Sequence, residues 1–475
     1  MKVSSYQALK LFQDASEALA QVEAAGIRID TDYLARAKAK TGKRIVRLDR
    51  ELRSDPLWGK WRRRFGSKAN MGNRRQLGEV LKAEGFETDK VTYKTGQMAV
   101  DEEFLAKVDH PFAKKYVEAE KLRKVKSTYL EGIEREVVDG RLHPFFHLNT
   151  ARSMRGSSSQ PNFQSIPVRD PEQGKIVRQA FVPDLPEDGH PFLIVENDFK
   201  TLEVNISCCY HHDPALIEYV SNPKKDLHRD MAAQLYKLKK EEVSKDTRYC
   251  GKNGFVFPSF YGSYWAQIAP RMWEMIGEKK LVNRDGASLF DHLKEKGIRK
   301  LGSCDPENRD EGTFAAHVRE VEKHFWNVRF PTYNQWKKDT WEAYQKVGGF
   351  EYLTGFVVNG VYAKNDVLNY CIQGTAFHCL LWVLIRLVRW LRKNRMRSRA
   401  VGQIHDSIVG SVWEPELQDY LGKVRELVSV DLPKAWPWII VPMTIEAEVV
   451  DQGKSWHDKR EWVCGESGLW GSKDV

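Results

Sequence analysis

Apolar positions in the first 55 residues recur at intervals of three and four, which predicts helix. The pattern breaks between Gly26 and Asp30, where an extended turn leads into a helix capped by Asp30. Residues 60–130 read as mainly helical and end in the Lys-rich segment KLRKVKSTYLEG. From Leu142 the period shortens, and strand-like runs surround a Ser/Pro/Asn-rich loop, ARSMRGSSSQPNFQSIP. Residues 192–198, FLIVEND, form a short β-rich run ending on acids, and a helical pattern follows it directly. Residues 226–345 read as mostly helical, with a polar interval over 279–312 that suggests an insertion or long loop. Beyond Gly349, FEYLTGFVV returns to strand and 366–395 reads as a long helix. RAVGQIHDSIVGSV then reads as two strands joined at His405 and Asp406, and IIVPMTIEAEVV as the final strand.

This alternation predicts an α+β architecture: one sheet assembled from distant segments, with helical sub-domains inserted between them. Its 475 residues, 41% hydrophobic, are enough for one large core or a few sub-domains around a shared centre. There are no internal repeats. The most apolar stretch, residues 379–390 (CLLWVLIRLVRW), is too short to span a bilayer and carries Arg386 and Arg389, so it predicts a buried amphipathic helix and no membrane segment. The N-terminus lacks a signal-peptide pattern, which places the protein in a reducing cytosol with its seven cysteines as thiols. Cys208, Cys209, His211 and His212 cluster, but adjacent residues on a helix face different ways, so core thiols are the better account than metal ligands.

Net charge is +10, and residues 1–140 hold 29 Lys and Arg against 22 Asp and Glu, so they carry +7 of it. Residues 42–75 alone have twelve basic and three acidic side chains, Arg62, Arg63 and Arg64 among them. Such density suits a surface that tracks phosphates, although a solvated basic helix has the same composition.

Phosphoryl transfer with two divalent ions needs carboxylates from separate rigid elements converging on one point. Asp198 ends an apolar strand and Asp406 sits at the tip of a tight hairpin, so both can project past a sheet edge. Strand-end acids usually cap turns, and the pair gains meaning from what lies between. In RYCGKNGFVFPSFYG, Arg248 and Lys252 stand four apart, a spacing that puts two cations on one helix face to meet a triphosphate. Phe255, Phe257, Phe260 and Tyr261 follow as an aromatic surface, part core and part available for base stacking.

In these motifs and their order, the chain resembles the family A, polymerase-I-like DNA polymerases, particularly the bacteriophage-type branch. The resemblance implies a right-hand fold: a palm with an antiparallel sheet, helical fingers and a helical thumb. The corresponding boundaries are 1–140 for the N-terminal helical region and thumb, 141–225 for the first part of the palm, 226–345 for fingers with an insertion near 265–325, and 346–475 for the second part of the palm. VENDFKTLEVNI resembles the first palm motif, which makes Asp198 a metal ligand, Phe199 a carbonyl contact to metal, and Glu203 the guard against a ribose 2′-hydroxyl. RYCGKNGFVFPSFYG resembles the fingers motif and gives Arg248, Lys252, Tyr261 and Gly262 their family roles, with Lys252 the general acid toward pyrophosphate. QIHDSIV resembles the third motif, with His405 near the primer end and Asp406 the second metal ligand. Arg155 resembles the Arg at the primer-terminal minor groove, and His228 the His that touches the triphosphate and helps neutralise it. Asn369 and Gln373 resemble template and groove contacts, and Lys126 and Tyr129 belong to a segment resembling the thumb region that holds duplex. The implied cofactor is a pair of Mg²⁺ ions, with Mn²⁺ as a substitute. Implied partners are primer-template DNA and dNTPs, with an exonuclease, helicase or processivity factor on other polypeptides, and the chain itself a monomer.

The departures from the family are specific. Lys252 to Tyr261 spans nine residues where the family has eight, and Pro258 lies between them, so a kink or bulge is expected. Counting back from Tyr261 puts Phe257 at the nucleotide; counting forward from Lys252 puts Val256 there. Phe257 is preferred because an aromatic packs against sugar and base. Ser407 replaces the acid that often follows the third-motif Asp, Thr201 replaces a Gln, and Asn365 stands where an Arg is common. The segment VEAAGIRIDTDYL, which resembles the start of the polymerase region, begins near residue 22 and leaves no expected room for an exonuclease fold. Asp49 and Glu51, an Asp-x-Glu, lie in a basic helical stretch, poor ground for a nuclease. The sum is an expected DNA polymerase without its own 3′-5′ exonuclease, acting in phage DNA replication. A two-metal nuclease, a non-enzymatic accessory protein and an RNA polymerase are the rivals, and Glu203 argues against the last.

Overall fold

A computed structural model describes residues 3–88, 90–92, 96–168, 170–308 and 310–473. Its centre is a six-stranded antiparallel sheet in the spatial order 470–472, 460–464, 445–450, 192–199, 407–413, 399–404. The strand Phe192–Phe199 is internal, between Ser407–Trp413 and Ile445–Val450. Being covered on both faces, it is a continuous apolar run rather than an alternating one, until it reaches the acids at its end. Leu193, Val195 and Phe199 face a core built with the helices Ser5–Ala25 and Lys364–Lys393, while Ile194, Val409 and Val450 face Phe163, Phe181 and Trp456.

Two further apolar clusters stand apart from the sheet. One gathers residues between Leu48 and Leu122, with Trp61 and Tyr116 fully buried. The other gathers helices between Cys208 and Tyr333.

The predicted break between the first two helices falls at Gly26, and Asp30 caps the second helix, Thr31–Ser54, by accepting from the Tyr33 amide at 2.8 Å. The expected hairpin is present: Arg399–Ile404 and Ser407–Trp413 pair antiparallel, closing on Ile404 opposite Ser407. Other expectations need correction. Among the described residues of 84–101 there is no helix, so 60–130 is helical in pieces. The polar interval near 279–312 is not a free loop: Leu281, Leu289, Leu293 and Ile298 are at most 3% exposed within the second helical core. IIVPMTIEAEVV is strand over Ile445–Val450 alone, and the short strands Arg460–Cys464 and Trp470–Ser472 follow it. The apolar run 379–390 lies inside the 30-residue helix Lys364–Lys393, which by length could cross a bilayer; its most apolar window is 89% buried inside the protein instead. Cys208 and Cys209 pack in the core, and burial raises both thiols, Cys209 to about 11.

Candidate active site

Two tight chain reversals present the acids. After Asp198 the strand turns through Thr201 into the helix Leu202–His211; after Ile404 the hairpin turns at His405 and Asp406. Thr201 has φ 51° and His405 φ 47°, left-handed values that cost non-glycine residues about 1–3 kcal/mol each and that concentrate at functional sites. The Phe199 amide donates to the Asp406 carbonyl at 3.1 Å, which locks the two turns side by side. Asp198 stands directly between Ser407 and Glu446 on the flanking strands.

Around these acids lies a cleft of about 800 Å³ that collects every sequence-predicted site residue except Lys126, Tyr129 and Gly262. Arg155, Phe199, Glu203, His228, Arg248, Lys252, Phe257, Tyr261, Asn369, Gln373 and His405 line it with Asp198 and Asp406. Lys126 instead pairs with Glu131 at 3.2 Å, and Tyr129 packs half-buried against the cluster that contains Val125 and Leu130. Asp49 and Glu51 are paired to Arg123 and Lys115 on the neighbouring helix, so neither is aimed into a cleft.

Burial raises Asp198 to about 7, reinforced by Asp406, Glu196 and Glu446 and opposed by Lys459. Burial likewise raises Asp406 to about 6, with Glu203 adding and Arg155 opposing. Carboxylates whose ionised form is disfavoured by burial and by neighbouring acids are a donor set that a divalent cation would relieve, and all-oxygen ligation suits a hard ion such as Mg²⁺.

Opposite the acids, Arg248 sits at the end of the helix Lys245–Cys250, its Nε donating to Asp226 at 2.7 Å. Lys252 lies in a π-turn, Gly251–Val256, followed by a short α-turn with Pro258 near its start. This is the expected bulge, and a π-turn is how a helix absorbs one extra residue. It leaves Val256 fully buried and turns Phe257 into the cleft, its ring 5.0 Å from the Lys252 ammonium and 5.7 Å from the His228 imidazole. Phe255 is core, edge-on to Phe325 at 5.2 Å. Burial, with Lys252 and Arg248 nearby, lowers His228 to about 4, so in the ligand-free cleft it is neutral and offers a hydrogen bond rather than the charge first expected.

Glu203 joins the two sides. It accepts from Arg155 Nη1 at 3.3 Å and from the Tyr261 hydroxyl, while the Asn369 amide donates to the Tyr261 carbonyl at 3.3 Å. Gly262 has φ 94°, and a Cβ there would fall 2.5 Å from Asn365 Oδ1, which explains both residues together.

Glu446, Glu196, Lys459 and Tyr333 escaped the sequence reading. A signal existed: Glu446 and Glu448, like Glu196 and Asp198, stand two apart on a strand and so share one face.

Comparison with known proteins bears on the family and the fold. A DNA polymerase I of Pseudomonas aeruginosa is 25% identical over 93% of this chain and 43% of its own length. The thermostable DNA polymerase I of Thermus aquaticus is 26% identical over 94% and 48%, and the DNA polymerase of Bacillus phage SP01 25% identical over 86% and 46%. The chain thus spans about half the length of the curated relatives it matches. The POL domain of Pol1 from M. smegmatis, solved with DNA primer-template and dNTP, superposes with a TM-score of 0.71 at 22% identity, covering 94% of this chain and 70% of that one. Residues 32–279, just over half of the sequence, match the profile of DNA polymerase family A, and the chain belongs to that family.

Proposed function

We propose that this chain is a DNA-directed DNA polymerase that adds deoxynucleotides to a primer 3′-hydroxyl with two divalent ions. The observation that carries the reading is the meeting of Asp198 and Asp406 with Arg248, Lys252, Phe257 and Tyr261 in one cleft, from segments up to two hundred residues apart. On this reading the sheet is the palm, the helical unit around Lys252 the fingers, and the cluster over residues 48–122 part of the thumb.

Held by Asp198, Asp406 and the Phe199 carbonyl, two Mg²⁺ ions would supply the charge that activates the 3′-hydroxyl and stabilises the departing oxygens. The 3′-oxygen forms a bond to the α-phosphorus as the bond to the β-phosphate oxygen breaks. Arg248 and Lys252 meet the triphosphate as cations, His228 donates a hydrogen bond to it, and Lys252 passes a proton to pyrophosphate. For Arg248 this means leaving Asp226 or sharing with it. Phe257 stacks on sugar and base, and Glu203 occupies the space a ribose 2′-hydroxyl would need. Arg155, Asn369, Gln373 and His405 contact the primer-template.

We further assign the chain a role in phage DNA replication, acting in the host cytoplasm as a monomer. The test is primer extension by Asp198→Ala and Asp406→Ala variants. Both should lose extension and keep duplex binding; extension near the wild-type rate by either would refute the assignment. Degradation of labelled DNA with Mg²⁺ and no nucleotides would favour a nuclease, and incorporation of NTPs by the wild type would remove the role of Glu203.

A further inference from the structure

Ser407 stands where an acid often follows the metal-binding Asp in this family, and the structure shows which group its side chain meets. Ser407 Oγ lies 3.3 Å from a Glu196 carboxylate oxygen and 3.0 Å from the Ile404 carbonyl, so its proton serves one or the other. Glu196 is 9% exposed and is two residues before Asp198 on the adjacent strand, on the same face. Its second oxygen accepts from Trp456 Nε1 at 2.9 Å and Lys459 Nζ at 2.8 Å, and Lys459 also grips Glu448. Across the sheet the residues form two rows: Ser407, Asp198 and Glu446, then Val409, Glu196 and Glu448. A cavity of about 290 Å³ opens on this side of Asp198, bounded by Glu196, Ser407, Glu446, Glu448 and Lys459.

We propose that Glu196 is a positioning residue for the metal-binding acids, its carboxylate standing on the neighbouring strand against the Ser407 hydroxyl. It acts through Ser407, the residue that follows Asp406 at the close of the hairpin and whose hydroxyl proton it shares with the Ile404 carbonyl, and it lies one pleat behind Asp198. The Lys459 and Trp456 bonds hold the carboxylate itself. A salt bridge with no part in the site would use the same Lys459 contact, but it would need neither the Ser407 hydroxyl nor a place on the Asp198 face. The inference rests on the polymerase reading for its purpose, and its test does not.

The measurement is Mn²⁺ titration by electron paramagnetic resonance on the full chain without DNA or nucleotide, alongside thermal unfolding. Glu196→Gln keeps size, can still accept from Trp456 and Lys459 through its one amide oxygen, presents a donor in place of the acceptor beside Ser407, and removes the charge; it should weaken Mn²⁺ binding about ten-fold, the usual cost of losing a group that orients a ligand. Its Tm should stay close to wild type. Glu196→Ala should bind Mn²⁺ as weakly, and Glu196→Ala with Ser407→Glu, which returns the acid to the hairpin, should recover binding. Wild-type Mn²⁺ affinity in Glu196→Gln, or a folded double variant that binds no better than Glu196→Ala, would overturn the proposal. Should Glu196→Ala fail to fold, Glu196→Gln decides alone. A wild type that binds Mn²⁺ but extends no primer would sink the polymerase reading and leave the role of Glu196 to the titration.

Discussion

Phe257 and Val256 are neighbours with opposite surroundings: one ring faces Lys252 and His228 across the cleft, the other side chain has no exposed surface. Substitution should separate them. Phe257→Ala should raise the nucleotide KM roughly ten-fold, since loss of a stacked base costs about 1–3 kcal/mol. Val256→Ala should leave KM alone and lower stability by about 2 kcal/mol through lost burial and a cavity. The reverse pattern would move the nucleotide to Val256. Asp198 supports a second test at this scale. Its carboxyl titrates at about 7 when folded against 3.8 as the ordinary value, so the folded state binds more protons between those limits. The Asp198 contribution to the stability of the metal-free protein should therefore fall as pH rises from about 4 to about 7 and level off above. Asp198→Asn lacks the charge, so its Tm advantage over wild type should grow over that window and be greatest at pH 8. Mg²⁺ added at pH 8 should raise the wild type and narrow the gap. A gap that does not change with pH would mean that Asp198 ionises at no cost.

The π-turn Gly251–Val256 is the element on which the cleft depends. Gly251 and Gly254 let it pack: a Cβ at either would fall 2.9 Å from Ala232 or Met272. Because each residue turns a helix by about 100°, deleting the exposed Asn253 would rotate Lys252 away from Phe257. Such a deletion should keep helical circular dichroism while abolishing extension; near-normal extension would show that the bulge has no part in setting the face. The step of nine positions from Lys252 to Tyr261 made this bulge legible, and the hairpin was legible because two β-rich runs flank His405 and Asp406. What the sequence could not show was partnership across distant strands. Glu196 meets Ser407 because residue 198 pairs with 407, a register set by the whole sheet and by no local pattern. The strands Arg460–Cys464 and Trp470–Ser472 were missed for a similar reason, being short, mixed in polarity and ordered by pairing on a neighbour. The interval near 279–312 misled because its few apolar residues are widely spaced, yet four of them reach the second core.

At the scale of the molecule, the uneven charge calls for a partner. The unit over residues 48–122 has its own apolar core and carries much of the basic run. Part of that run is spent on ion pairs: Arg44 with Glu118 at 2.6 Å, Lys60 with Glu84 at 2.6 Å, Arg64 with Glu79 at 3.2 Å. Arg50, Arg53, Arg62, Arg63 and Lys68 are exposed. If those cations track the duplex, each lost phosphate contact should flatten the dependence of log affinity on log salt by about 0.9. Arg62→Ala with Arg63→Ala should thus reduce the slope by about 2 and shorten the products made in one binding event under excess trap DNA. The rate of adding a single nucleotide to saturated complexes should not change, because the cleft around Asp198 and Lys252 is lined by other residues. An unchanged salt slope would assign this basic surface to solubility rather than to DNA. A lower single-nucleotide rate would instead mean that this helical unit helps to shape the cleft, since loss of two surface phosphate contacts acts on dissociation and not on chemistry.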